Sequence, residues 1–276
     1  MGGLSGLSGL RGLSGLTAKP VAASAFDPDA QAFFTAANIT DVTQQNAVNA
    51  LAIGKKANGT WTKDQAIYPF VGGTALQHSF NLKNPSQFQI TWGGTVTHNA
   101  NGITGDGSTG YGNTGFTPSV HGTLASNSIS LYCRTAKTAA ATVEMGCNTG
   151  SGEWALAIRY PGDSFFPLLM SGGGYPSVAL AATTGWILAS RNDTTTVQAY
   201  RNGGLVLNAA QVQSSLTGIT TPMAVLASRH PNPTFWARHS AVNLALASIG
   251  LGLTAGEITA DYTTIQAYET ALGRQV

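Results

Sequence analysis

Charge is scarce in this sequence. Asp, Glu, Lys and Arg together make up 9% of its 276 residues, against about 25% in an average soluble domain. The formal net charge of +2 is spread thinly, and Lys55 and Lys56 are the only adjacent basic pair. A polyphosphate backbone is bound through clustered cations, so nucleic acid is excluded as a partner. Long apolar runs are missing too: nothing approaches the roughly 20 residues that span a bilayer. Met1 to Thr17 has neither the basic n-region nor the apolar h-region of a signal peptide. No membrane insertion is expected, and exit from a cell would need another route, such as release within a virus particle at lysis. With two cysteines, Cys133 and Cys147, there is no disulfide framework. They read as small buried hydrophobes. A cross-strand bridge stays open, because the Cα spacing of about 5.5 Å that it requires is not legible in a sequence.

Catalytic patterns are missing in the same way. No nucleophile elbow, P-loop or Cys/His zinc spacing occurs. A retaining glycosidase needs two carboxylates about 5 Å apart, which a strand supplies most simply at alternate positions. Of Asp106, Glu144, Glu153, Asp163 and Asp193, no two stand at i, i+2 or i, i+4. Glu144 and Glu153 could meet across neighbouring strands, but they read more simply as surface carboxylates. His78, His98, His121, His230 and His239 fall in loops or strand ends without the base-and-arginine cluster of a polysaccharide lyase. Arg229 beside His230 and Arg238 beside His239 come nearest, and read as polar loop residues. The expectation is a protein that is not an enzyme and needs no cofactor; a structural calcium is not indicated either.

What is present is ample core material. Apolar residues make up 43% of the chain, with five Trp, eight Tyr and ten Phe, which argues against disorder despite the low charge. Residues 3–17 read GLSGLSGLRGLSGLT, with glycine at every third position and leucine after each. Without proline this period lacks the polyproline II stiffness of collagen. Leu4, Leu7, Leu10, Leu13 and Leu16 would be exposed on a monomer, so the segment is expected to be an assembly arm that orders against another subunit.

Beyond a linker, Asp27 and Pro28 supply an N-cap and a first-turn proline for one helix. A second starts near Thr40 or Asp41 and turns Val42, Val48, Leu51 and Ala52 to one face, with Lys55, Lys56 and Gly59 at its end. From about Ile67 to Ile249 the period changes to two. Ile129, Leu131 and Cys133 alternate with Ser128, Ser130 and Tyr132, and Trp154, Leu156 and Ile158 alternate with Ala155, Ala157 and Arg159. These read as half-buried strands. Asn202-Gly203 between two apolar runs marks a hairpin. Thr254 and Glu257 form a capping box for a closing helix with Ile258, Tyr262, Ile265, Tyr268 and Leu272 on its apolar stripe. The fold class expected is mainly β: an antiparallel two-sheet jelly-roll sandwich with two short N-terminal helices and one C-terminal helix. Its parts are an arm and linker (1–24), a helical lead-in (25–66) and the sandwich with its closing helix (67–276).

Several stretches carry a resemblance: IYPFVGGTALQHSFNLKNP (67–85), GITGDGSTGYGNTGFTP (102–118), EMG (144–146), ASRND (189–193), YRNG (200–203) and SIGLGLT with YETALGRQV (248–276). In this order, over roughly residues 26–276, they resemble the concanavalin A-like, laminin-G-like domains of tailed-bacteriophage structural proteins. The resemblance implies a concanavalin A-like sandwich in a virion, as a tail, baseplate, fibre or capsid-decoration component, made in the host cytoplasm. The partners it implies are other copies of the chain, as a homotrimer, and other virion proteins. Host surface glycans are the alternative partner, with the chain then a carbohydrate-binding receptor-recognition module. Lectin-type sites combine an aromatic platform with amides and carboxylates, and Asp106, Tyr111 and Asn113 in the loop from Gly105 offer such groups. The loop reads equally as a glycine-rich turn in which Asp106 and Ser108 cap backbone amides. Tyr175, between glycines and a proline, is a second exposed-aromatic candidate. Phe165-Phe166 is a third, with one ring of the adjacent pair expected in the core.

Overall fold

The computed structural model describes residues 1–2, 26–148, 152–213, 218–229 and 236–276. The leucine arm and His230 lie outside the described residues. Five helices are described: α1 (Pro28–Ala37), α2 (Val42–Ala57), α3 (Ala75–Ser79), α4 (Pro118–His121) and α5 (Ala255–Ala271). The first nine strands are β1 (Asp64–Tyr68), β2 (Thr91–Gly93), β3 (Val96–Asn99), β4 (Gly102–Gly105), β5 (Tyr111–Asn113), β6 (Asn127–Cys133), β7 (Met145–Asn148), β8 (Glu153–Tyr160) and β9 (Ser164–Gly173). They are followed by β10 (Val178–Ala179), β11 (Gly185–Arg191), β12 (Thr196–Arg201), β13 (Gly204–Ala210), β14 (Val212–Gln213), β15 (Ala224–Val225), β16 (Ser228–Arg229), β17 (Trp236–Ala237) and β18 (Asn243–Gly250).

The strands form two sheets. One runs β13-β12-β11-β6-β18-β4-β3 with β1 also on β18, and the other runs β10-β9-β8-β7-β15-β5-β2 with β14, β16 and β17 at its margins. Pairing is antiparallel apart from β16 on β7. This is a two-sheet β-sandwich. Ile129, Leu131, Cys133, Ile187, Leu244 and Ile249 from the first sheet meet Met145, Cys147, Trp154, Leu156, Ile158 and Phe165 from the second in one core. The two cysteines are free and buried on opposite sheets, which removes the bridge left open by the sequence. Burial pushes the Cys133 thiol up to about 12.

Local signals fix most element ends. The Asp27 carboxylate accepts from the Asp29 amide ahead of Pro28, and Asp41 accepts from Gln44. The capping box of Thr254 and Glu257 is present. Asn202 and Gly203 have φ of 49° and 75°, the two positive values that a type I′ turn requires, and they join β12 to β13. Gly273 is left-handed (φ 64°) just past the closing helix. The Arg274 guanidinium, 1% exposed, then donates to Glu269 and to the carbonyls of Phe70 and Ala245, holding the chain end to the domain.

Two expectations are corrected. Neither strand read as half-buried is so. β8 is buried from Glu153 to Ile158, and every residue of β6, with β11 and β18 beside it, is buried because α1, α2 and α5 lie across the outer face of the first sheet. There Tyr132, Trp186, Leu188, Tyr200 and Leu246 pack with Phe33, Val48, Leu51, Ile258, Ile265 and Tyr268. The serines tolerate this burial because they are bonded, Ser130 Oγ lying 2.7 Å from Ser248 Oγ and accepting from Trp186 Nε1 at 3.1 Å. Secondly, Val42 is exposed at the start of α2 rather than on its buried face. Lys55 stands in the last turn of α2, where the sequence put it, and the fold gives it a further role. Fully buried, it donates to Asp64 at 3.0 Å and to both oxygens of Asp261 at 2.7 and 2.9 Å, joining α2, β1 and α5 through a charge that burial demands be paired. Burial raises the Asp64 carboxyl to about 6 against the attraction of Lys55.

Candidate functional site

Among the described residues no helix covers β8 and β9 on the outer face of the second sheet, and these two strands build a groove there. Trp154, Leu156 and Ile158 enter the core, so strand geometry turns Glu153, Ala155 and Ala157 outward. Across the ladder Ala155 pairs with Leu168 and Ala157 with Phe166. The two alanines and Leu168, with Val143, form the floor, and the Tyr160 and Phe166 rings pack against it. These two rings meet edge to face at 5.6 Å. The Phe165-Phe166 pair thus divides as expected, Phe165 fully buried in the core and Phe166 half-buried on the groove.

The rim is built by loops. Beyond β9 the Ser171 hydroxyl donates to the Gly174 carbonyl at 2.9 Å, and Gly174 takes a left-handed φ of 76° that suits glycine. Tyr175 follows at 61% exposure and lines the groove. At the polar end stand Asn148, Glu153 and Arg238. Glu153 is buried and accepts from Arg238 Nη1 at 2.6 Å. The Arg238 guanidinium also lies 5.9 Å from the Tyr160 ring centroid, within cation–π range. The cavity measures about 280 Å³, near the lower end of the roughly 300–1,000 Å³ of small-molecule sites. That is room for one or two sugar rings. Its parts match the needs of a carbohydrate: aromatic surface for a ring's C–H face, and donors and acceptors for hydroxyls at one end.

The other predicted residues sit elsewhere on this sheet. Asp106 accepts from the backbone amides of Ser108, Thr109 and Gly110 and from the hydroxyls of Ser108 and Thr109, all within 2.6–3.0 Å. The Thr109 hydroxyl and these amides hold its carboxyl far below the usual range. This is the capped turn of the plainer reading, with the carboxylate committed to its own loop. The Tyr111 ring lies down across β2, where a Cβ on Gly93 would come within 2.3 Å of it. The Asn113 side chain accepts from the Gly115 amide at 3.1 Å. The structure therefore brings Asp106, Tyr111 and Asn113 together near β5 but apart from Tyr175. From β5 to β8 is three strand steps, roughly 14 Å at about 4.8 Å per step.

Glu144 and Glu153 do not form a catalytic pair. Register places Glu144 beside Ala157, as Met145 pairs with Leu156, and Glu153 opposite Asn148. They stand four residues apart along β8, roughly 13 Å at 3.3 Å per residue, beyond the roughly 5–9.5 Å of glycosidase carboxylates. Glu144 is moreover held by Lys137 at 2.6 Å, Ser240 at 2.8 Å and the Ile158 amide at 2.7 Å. Among the described residues no group of three or more His, Cys, Asp and Glu could hold a metal ion. The residues that sequence reasoning missed are Asn148, Tyr160 and the Glu153–Arg238 pair, 85 positions apart. Of these, Tyr160 continues the phase of Trp154, Leu156 and Ile158, which reads as inward, and the irregularity of β8 between Ala157 and Tyr160 brings its ring to the groove side instead.

Comparison with known proteins bears on the fold. No protein-family model matches the chain, and no curated protein does. Solved structures do match. A Trypanosoma rangeli sialidase mutant displaying trans-sialidase activity is 9% identical with a TM-score of 0.51, over 81% of this chain and 39% of that one. The receptor-binding domain of a botulinum neurotoxin C/D mosaic serotype is 11% identical with a TM-score of 0.50, over 74% of this chain and 51% of that one. Domain 4 of a Geobacillus stearothermophilus extracellular arabinanase, in complex with arabinotriose, is 16% identical with a TM-score of 0.42, covering 71% of this chain and 97% of that one. The chain spans about half of the toxin domain and two fifths of the sialidase. At such identities the likeness is one of fold.

Proposed function

We propose that this protein is a carbohydrate-binding module that holds a glycan in the groove on β8 and β9 and does not cleave it. The observation that carries the reading is Tyr175, 61% exposed, over an apolar floor that ends in the pair of buried Glu153 and half-buried Arg238. An exposed aromatic ring next to paired polar groups is what a sugar's two-sided chemistry requires. The matched structures support the reading, being a receptor-binding domain and a carbohydrate-processing enzyme, though a shared fold supplies analogy alone. The separation of Glu144 from Glu153 speaks against hydrolysis by this pair. The test is a broad glycan array followed by titration calorimetry of the full chain with the strongest ligand. Tyr175→Ala is expected to weaken binding at least tenfold, and an array without a single ligand ends the proposal.

The glycine period of residues 3–17 favours a second role that is compatible with the first. In it the leucine arm fixes the module, as a homotrimer or beside other proteins, within a virus particle of the kind the phage resemblance implies. Deleting residues 1–18 is then expected to abolish incorporation into particles, and normal incorporation would remove the arm from the account.

A further inference from the structure

The groove's charges say which sugars it takes. This inference rests on the carbohydrate reading and narrows it. Among the described residues that line the groove, nine in number, Glu153 and Arg238 are the charged ones. They face each other at 2.6 Å, so the pair as a whole is neutral. Glu153 has a side chain 6% exposed, while that of Arg238 is 35% exposed. The carboxylate is thus the deeper partner and holds the guanidinium from below. Arg238 itself is fixed by more than this bond: its backbone is left-handed (φ 57°), its carbonyl accepts from the Val143 amide at 2.8 Å, and its guanidinium rests near Tyr160.

We infer that the groove selects neutral sugars bearing two adjacent hydroxyls, and discriminates against uronic and sialic acids. A vicinal diol fits the pair as it stands. One hydroxyl donates to the Glu153 carboxylate, its neighbour accepts from the exposed edge of Arg238, and the C–H face of the ring rests on Tyr175 and Phe166. A sugar carboxylate would share Arg238 with a buried anion that has no other cation among the described residues lining the groove. Like charges so placed repel across a poorly screened site. Expelling Glu153 to make room would leave a buried carboxylate unpaired.

The experiment compares matched ligands on the unaltered full chain: galactose- and glucose-terminated oligosaccharides against the same oligosaccharides ending in galacturonate or glucuronate, with a sialylated set beside them. Titration calorimetry is expected to show the neutral member binding at least tenfold more tightly. Glu153→Gln is expected to narrow that gap by relieving the repulsion, and Arg238→Lys, which keeps the charge, to preserve the gap while weakening all ligands. Acidic sugars binding as tightly as neutral ones, with the binding lost in Tyr175→Ala, would overturn the inference and leave the site standing. Binding that Tyr175→Ala leaves unchanged would overturn both. The wild-type comparison needs no variant, so poor folding of Glu153→Gln leaves the question decidable.

Discussion

The two outer faces of the sandwich are built from the same alternating strands and have opposite fates. On the first sheet Tyr132, Trp186 and Tyr200 point away from the core and are buried again beneath α1, α2 and α5. On the second, Phe166 and Tyr160 point away from the core and stay half-buried, with Tyr175 beside them largely in water. An outward aromatic is therefore neither structural nor functional by its pattern. What decides is whether the chain supplies a cover. For the first sheet it supplies three helices, tied down by the Lys55 triad and by Arg274. Among the described residues only loops border the groove of the second, and the aromatic surface left exposed there is what the proposed glycan would use.

The strongest way to break this contrast is to cut an aromatic from each face. Trp186 is 0% exposed, stacks on Tyr262 at 6.2 Å and donates to Ser130. Trp186→Ala is expected to cost about 3–5 kcal/mol, as deletion of a large buried ring does when the site cannot collapse. Denaturant unfolding would show it as a lower midpoint at unchanged slope. A loss below about 1 kcal/mol would mean that the helices do not form a close-packed layer.

What could be read from the sequence follows the same division. Inward residues were legible, because Ile129, Leu131 and Cys133, like Trp154, Leu156 and Ile158, alternate with a period of two and all enter the core. Turns and caps were legible because their chemistry is local, as at Asn202-Gly203 and at Thr254 with Glu257. The second burial of the first sheet was not, since alternation assigns Ser128 and Ser130 to water and knows nothing of a helix that begins at Ala255. The ion pair of Lys55 was out of reach for the same reason: the residue stands in the last turn of α2 where the sequence put it, but its partner Asp261 lies 206 positions away. The candidate site was half legible. Phe166 and Tyr175 stood out by exposure signals in their own neighbourhood, whereas Glu153 and Arg238 acquire meaning only when the fold brings them together. Asp106 and Tyr111 showed the right residue types for a sugar, but the loop spends the first on its own amides and folds the second onto Gly93.

A smaller effect concerns the link between the sheets, since the Asp106 loop carries the chain from β4 in the covered sheet to β5 in the open one. Its carboxyl is held below the ordinary value of 3.8, first by the Thr109 hydroxyl and then by backbone amides. A depressed carboxylate stabilises the fold above its unfolded value and loses that contribution as pH falls toward its folded value. Asp193 repeats the device on the covered sheet, its carboxyl lowered to about 2 by Thr196 and Thr195. Melting temperature is expected to fall below pH 4, and Asp106→Asn to flatten that fall, because asparagine has no proton to gain. If the variant shows an acid slope equal to wild type, this loop does not anchor the sheets through its charge.

The smallest expected change is the one that sharpens the comparison most. Tyr175 sits on a loop whose geometry is set by Ser171 and Gly174, and it stands 61% exposed. Tyr175→Ala should shift stability by no more than about 0.5 kcal/mol, as surface substitutions usually do, while weakening glycan binding at least tenfold. The opposite split at Trp186, large in stability and absent in binding, would complete the contrast. A stability loss at Tyr175 comparable to that at Trp186 would instead show that the groove closes over its own aromatics. The open face would then be a second core rather than a surface for a ligand, and the exposed ring would lose its claim to function.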